Sequence, residues 1–310
     1  MKSPSKPKSR HSRHSGAEAR GTFPGAGPAS STPEYIVRHC HGIEEFEACL
    51  RLEREVWKSA DIDIVPIPLF VVASETGGQV LGAFSRNEMV GFTMAMAGWR
   101  NRKPFLHSHM TAVSEAYQGR GIGRQLKLFQ RKDALERGIW LVEWTFDPLV
   151  TKNAHFNFMV LGAIARRYVP NAYGITTSPL HGALPTDRLV AEWHLRSPRV
   201  RLLLAGKRRA LASTKKSVRI SIPAILEALK TTDPAKAAQM QSEISTQFTH
   251  WFAKKYAATA VASTQEGVDY ILEPWTGADS GRWTNSALLE VQEGRHNVAH
   301  RGSGGKTNRG

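Results

Sequence analysis

The sequence lacks any run of about 18 apolar residues, the length that crosses a bilayer as a helix, so no membrane-spanning helix is expected. Two cysteines, Cys40 and Cys49, are too few for a disulfide framework, and a reduced, cytoplasmic setting is the expectation. The first 33 residues lack the apolar stretch of a secretory signal, and their prolines and glycines spoil the amphipathic helix of a transit peptide. Neither zinc-finger spacing nor an RNA-binding signature is present. His39-Cys40-His41 looks like part of a metal site, but strand alternation sends Cys40 to the opposite face and no partner cluster follows. No metal is expected.

Charge of one sign is also scarce where it would matter. The net charge of +15 is concentrated at three places. Residues 1–33 hold six Lys/Arg against Glu18, residues 295–310 hold four with no acid, and residues 196–219 hold nine with no acid. The remaining body is close to neutral. Basic tails and a basic linker imply solubility and non-specific contact with polyanions, and specific nucleic-acid binding is not expected.

Periodicity divides the chain into a disordered basic tail (1–33), a core (34–195), a basic linker (196–217), a C-terminal extension (218–278) and a disordered tail (279–310). Residues 35–40 read as a strand, and Ile43, Phe46, Leu50 and Trp57 mark a helix. A short helix closes at Gly77-Gly78, and a hairpin turns at Arg86-Asn87-Glu88. Strands are expected at 105–113, 139–148 and 186–195, with helices from the glycine loop to Gly138 and from Asn153 to Tyr168. In the extension, Asp233 and Pro234 start a helix with Met240, Ile244, Phe248, Trp251 and Phe252 on its apolar stripe, and two strands follow. The order β-α-α-β-β-β-α-β-α-β implies an α/β fold, a mixed sheet with helices on both faces.

The densest stretch is "EAYQGRGIGRQLK" (115–127). Gly119, Gly121 and Gly123 give G-x-G-x-G, so the dinucleotide fingerprint G-x-G-x-x-G fails, and no G-K-[ST] step follows for a P-loop. What remains is a strand, a tight glycine loop and a helix N-terminus. That arrangement aims several free N–H groups at one spot, reinforced by the helix dipole, and lets backbone approach a phosphate without Cβ collision. A diphosphate is the natural ligand; a glycine-rich turn with no ligand is the alternative. Arg124, Lys127 and Arg131 are expected on the open side of this helix.

Gln118-Gly119-Arg120-Gly121-Ile122-Gly123 resembles the Q/R-x-x-G-x-G/A pyrophosphate loop of the GNAT superfamily of acyl-CoA N-acyltransferases. The element order is also similar to that family's. "LHSHMTAV", "EWTFDPL", "NAHFNFMVLGAIARRYVPNAYG" and "PTDRLVAEW" resemble a bacterial subgroup with a C-terminal helix-strand-strand extension, some members of which are associated with N-succinylation of D-amino acids. The resemblance implies splayed central strands and acyl-CoA, acetyl-CoA or succinyl-CoA, as cosubstrate with no tightly bound cofactor. It implies that backbone groups near Ala112 and Val113 hold the pantetheine and that N–H groups of Gln118, Gly119, Arg120, Gly121, Ile122, Gly123 and Arg124 cradle the pyrophosphate. Asn153 matches the place of a CoA-contacting Asn.

Direct attack of an amine on a thioester needs a base and an acid. The family's acid is a Tyr four residues before the Gly that ends the second long helix; counting back from Gly162 gives Phe158, which has no proton to donate, and leaves Tyr168 and Tyr173. For the base, Glu143 and His109 head the candidates, with His107 and Asp147 beside them. Glu143 is otherwise a buried ion pair, each His a satisfied core histidine, and Asp147 the cap of a turn. Arg188 and the adjacent pair Arg166-Arg167, with Arg188 and Arg166 foremost, are candidates for a substrate carboxylate, with surface or ion-paired arginine as the alternative. The expected function is acyl transfer to a small amine. A GNAT-fold CoA-binding or scaffolding module without catalysis, or a polyanion-associated acyltransferase, are the other readings, and a homodimer is compatible with each.

Overall fold

The computed structural model describes residues 35–58, 64–174, 184–207 and 216–275. The tails expected to be disordered lie outside the described residues.

Strand β1 (Ile36–His39) leads into α1 (Gly42–Trp57) and α2 (Ile67–Glu75), the latter opened by prolines at its first positions. Three antiparallel strands follow: β2 (Gln79–Ser85), β3 (Glu88–Arg100) and β4 (Lys103–Val113). The β3–β4 turn places Asn101 and Arg102 at φ 51° and 59°, the left-handed pair that a tight hairpin with strand-matched twist requires. A 3₁₀ turn (Glu115–Tyr117) and the glycine loop start α3 (Ile122–Glu136), and β5 (Leu141–Phe146) runs parallel to β4.

The helix expected from Asn153 to Tyr168 is shorter. It consists of α4 (Thr151–His155) and a π-helical turn (Phe156–Leu161), closed by Gly162 at φ 80°. A left-handed glycine ends the helix there, and "IARRYV" pairs as strand β6 (Ile164–Val169) with β7 (Arg188–His194). Arg166, Arg167 and Tyr168 are therefore strand residues.

The segment read as a linker contains helix α5 (Pro198–Leu204), capped by Ser197, whose Oγ accepts from the Val200 N–H at 3.2 Å. Within the extension, β8 (Val218–Pro223) and α6 (Ile225–Thr232) precede α7 (Pro234–Ala253), β9 (Tyr256–Ser263) and β10 (Gly267–Pro274), so a helix-strand-strand unit is an incomplete description of it. Asp233 caps α7 by accepting from the Lys236 N–H.

Among the described residues the ten strands form one mixed sheet, ordered β1-β2-β3-β4-β5-β7-β6-β9-β10-β8. The extension continues the sheet of the core through Ala165 and Ala258 and shares its apolar interior, where Phe158, Trp193, Phe248 and Tyr270 are fully buried. The Tyr270 hydroxyl donates to the Pro148 carbonyl at 2.7 Å, across 122 residues of chain. Helices α1 and α2 cover one face of β2–β4 through Phe46, Phe70 and Phe92. Helix α3 covers the other through Ile122 and Leu126 against Leu81 and Ala83.

The feature that positions the site is a split. Strands β4 and β5 pair only at Leu106–Val142 and His107–Glu143. Beyond that point β4 pairs with β3 alone and β5 with β7 alone, so the two central strands splay apart toward their C-terminal ends.

Candidate active site

The glycine loop sits at the end of β4, at the mouth of this split. Gly119 and Gly121 have φ of 79° and 83°, a conformation that glycine adopts without the penalty other residues incur. Gly121 is the left-handed cap of α3. Among the described residues, the N–H groups of 119–124 donate to no backbone carbonyl, while Gln125 N–H makes the first helical bond, to Gly121. Gly123 is different: its φ is not positive, and a Cβ there would meet only Val113 Cγ2, at 3.9 Å. Neither backbone strain nor packing explains this glycine. The Tyr35 hydroxyl fixes the loop by donating to the Arg120 carbonyl, and the Gln118 amide donates to Val113 O at 3.2 Å. Ala112 is buried and Val113 half-buried on the strand edge that faces the split.

The three bases expected on the open side of α3 divide. Arg124 stays beside the loop, half-buried. Arg131 donates twice to the Leu195 carbonyl, at 3.1 and 2.8 Å, and is a structural tie. Lys127 turns inward: its Nζ donates to Ser108 Oγ at 2.8 Å and Gln130 Oε1 at 2.9 Å and lies 4.2 Å from the Trp144 ring centroid. Burial pushes this ammonium down to about 7. Lys127 was placed wrongly because a polar side chain reads as a solvent-facing one, and its partner Ser108 is far away in sequence.

On the sheet face away from α3, titratable groups from several strands meet. Strand β4 carries a bulge: Met94 faces Met110 and Ala95 faces Ser108, so His109 is the extra residue. A bulge re-aims a side chain, and here both imidazoles come together with ring centroids 6.2 Å apart. His109 is exposed and His107 half-buried. Desolvation lowers both, His107 to about 4, with further lowering from His109, Arg167 and Arg100 that outweighs the opposite pull of Glu143. Both rings are neutral at neutral pH.

Glu143 lies in the ion-paired surroundings weighed as its alternative. Its Oε1 accepts from Arg100 and its Oε2 from Arg167 at 2.8 Å, so both oxygens are engaged in a buried ion triad. Next to it on β7, Glu192 accepts from Arg166 and lies 3.3 Å from His194. Burial pushes the Glu192 carboxyl up, but His194 and Arg166 outweigh this and hold it at about 2. Arg166 is ion-paired with Glu192, and Arg188 is buried, donates to the Asp187 carbonyl and sits 5.2 Å from the Tyr173 ring.

The acid candidates separate equally clearly. Tyr168 donates to Asp187 at 2.7 Å, stacks on Phe248 and has its hydroxyl pushed far up by burial and by Asp187, so it is a core residue on the far side of β7. Tyr173 is exposed, with its hydroxyl 2.5 Å from Thr145 Oγ1, on the β5 side of the split. Phe158 is buried edge-to-face against Phe146 and Tyr270. Asp147 caps a turn, accepting from Leu149 N–H at 2.8 Å. Asn153 is exposed on the short helix that follows β5. Arg100 carries one sequence signal, its parity with Met96 on one long strand.

Residues 43–156 match the Acetyltransferase (GNAT) family. No curated protein matches the chain. The mixed sheet and helices match the GNAT fold. Among solved structures, the chain is similar to an aminoglycoside acetyltransferase from an uncultured soil metagenomic sample (20% identity, 40% of this chain and 84% of that one, TM-score 0.36). It is also similar to a ribosomal-protein alanine N-acetyltransferase from Escherichia coli (15% identity, 52% and 94%, TM-score 0.41). A third is a GNAT family acetyltransferase from Elizabethkingia anophelis with acetyl-CoA bound (14% identity, 53% and 99%, TM-score 0.38).

Proposed function

We propose that this chain, GNAT in fold and matched to that family over residues 43–156, is an acyl-CoA-dependent N-acyltransferase acting on a small amine. The observation that carries the reading is the loop at 119–124, whose N–H groups donate to no backbone carbonyl at the mouth of the β4–β5 split. These N–H groups, with Arg124, hold the donor's diphosphate. The open edge of β4 at Ala112 and Val113 takes the pantetheine and polarises the thioester carbonyl. Asn153, on the opposite side of the split, reaches the same arm.

The acceptor enters as an ammonium and gives one proton to His109, the exposed neutral imidazole at the bulge. Its nitrogen lone pair then attacks the thioester carbonyl carbon. The C–N bond forms, the C–S bond breaks with its electron pair on sulfur, and the amide nitrogen passes its second proton to water. The thiolate takes a proton from Tyr173, which regains one from water, or from water directly. The acyl group is acetyl or succinyl, and a D-amino acid is the acceptor suggested by the resemblance of the extended sequence. A thiol-release screen crossing acetyl-, propionyl- and succinyl-CoA with D- and L-amino acids and with carboxylate-free amines tests this. Amine-dependent release supports it, confinement to succinyl-CoA and D-amino acids supports the finer assignment, and absence of release with every pair refutes it.

A further inference from the structure

Arg100 on β3 and Arg167 on β6 come from opposite sides of the split and grip one carboxylate between them, Glu143 on β5. The side chain of Glu143 is 4% exposed, while those of Arg100 and Arg167 are 25% and 24% exposed. The carboxylate is sealed, and both arginine side chains are partly exposed. Each guanidinium carries five N–H donors and gives one to Glu143. Arg100 is further held over the Phe105 ring at 4.6 Å.

The charges at this point do not cancel. Two guanidiniums face one carboxylate, and the imidazole across from it, His107, is uncharged at neutral pH because burial, and after it His109, disfavour its cation more than Glu143 favours it. Glu192 next door is already matched by Arg166 and His194, so it does not absorb the surplus. One positive charge is left at the root of the split, on partly exposed side chains and on the same face as the two imidazoles. A structural triad needs no such surplus, because a single arginine with local hydrogen bonds satisfies one buried carboxylate.

We propose that Arg100 and Arg167 form a carboxylate-binding site for the reacting pair, with Glu143 acting as the positioning residue that holds both guanidiniums in place. The site rests on the acyltransferase reading above and assigns it a substrate class. A carboxylate belongs either to an amino-acid acceptor or to a dicarboxylic acyl group, and planar guanidiniums recognise both in the same way.

The test uses the full chain with four substrate pairs: acetyl-CoA or succinyl-CoA, each with alanine or with ethylamine, which lacks the carboxylate. Arg100→Gln and Arg167→Gln are each expected to raise KM for the carboxylate-bearing partner at least tenfold. The affinity for CoA and the kinetics of acetyl-CoA with ethylamine stay within about twofold, which excludes misfolding. Arg167→Lys, which keeps the charge and loses the fork, falls between. A selective loss with alanine assigns the site to the acceptor; a selective loss with succinyl-CoA assigns it to the acyl group. Equal losses for all four pairs overturn the proposal. If the wild type releases no thiol with any pair, the function fails separately, and the site is read by titration with succinate. Binding weakened tenfold in Arg100→Gln upholds the site, and no binding by the wild type overturns it.

Discussion

His107 lies directly across from Glu143 in the last rung of parallel pairing before β4 and β5 part. At that rung a neutral imidazole, a sealed carboxylate and two arginines share one face of the sheet. The pairing separates residues that look interchangeable in sequence: Glu143 binds two arginines, His107 stays uncharged beside them, and His109, shifted out by the bulge, is exposed.

His109→Gln is expected to lower kcat by about 10²- to 10⁴-fold, the range for losing a general base. His107→Gln is expected to lower it less, with KM for CoA unchanged in both. Rates measured at saturating acyl-CoA check this. Because desolvation lowers His109 below its ordinary value, its protonation governs any acid limb only below that value.

Gly123→Ala separates ligand binding from folding. Nothing but Val113 Cγ2, at 3.9 Å, meets the added Cβ, so stability shifts by no more than about 1 kcal/mol. The Kd for CoA, measured by calorimetry, is expected to rise at least tenfold. An unchanged Kd contradicts the seat.

Lys127 makes stability depend on pH in an unusual direction. Its folded pKa, about 7, lies below the ordinary 10.5, so between those values the unfolded chain binds more protons and stability rises with pH. The penalty is fully present below pH 7, relieved by about pH 10.5, and on the order of a few kcal/mol. Urea unfolding across that window is expected to show the rise in the wild type and a flatter profile in Lys127→Met.

Phe158→Tyr places a hydroxyl at the position where the family resemblance expects an acid. Between Phe146 and Tyr270 it would be buried, so the substitution is expected to cost about 1–3 kcal/mol in unfolding free energy. No gain in kcat is expected, since Phe158 packs into the apolar interior.

The parts legible in the sequence are those set by local chemistry. Gly119, Gly121 and Gly123 announce the loop, Asp233-Pro234 announces α7, and Arg86-Asn87 announces a hairpin, because each acts through its own backbone. "AIARRYV" was misread because a short apolar run with two arginines fits helix and strand alike; Gly162 and pairing with β7 decide it. The Arg100–Glu143–Arg167 triad was hidden for a different reason. Its members come from three strands, 43 and 24 residues apart, and only the register of the sheet brings them together.

The bare backbone of 119–124 is proposed to hold the donor's diphosphate. Amide hydrogen exchange of the full chain with and without CoA reads those N–H groups directly. Slowed exchange concentrated at Gly119 to Arg124, reduced in Gly123→Ala, is the expected result. Unchanged exchange in that loop at saturating CoA, or protection confined to another part of the sheet, would contradict the account.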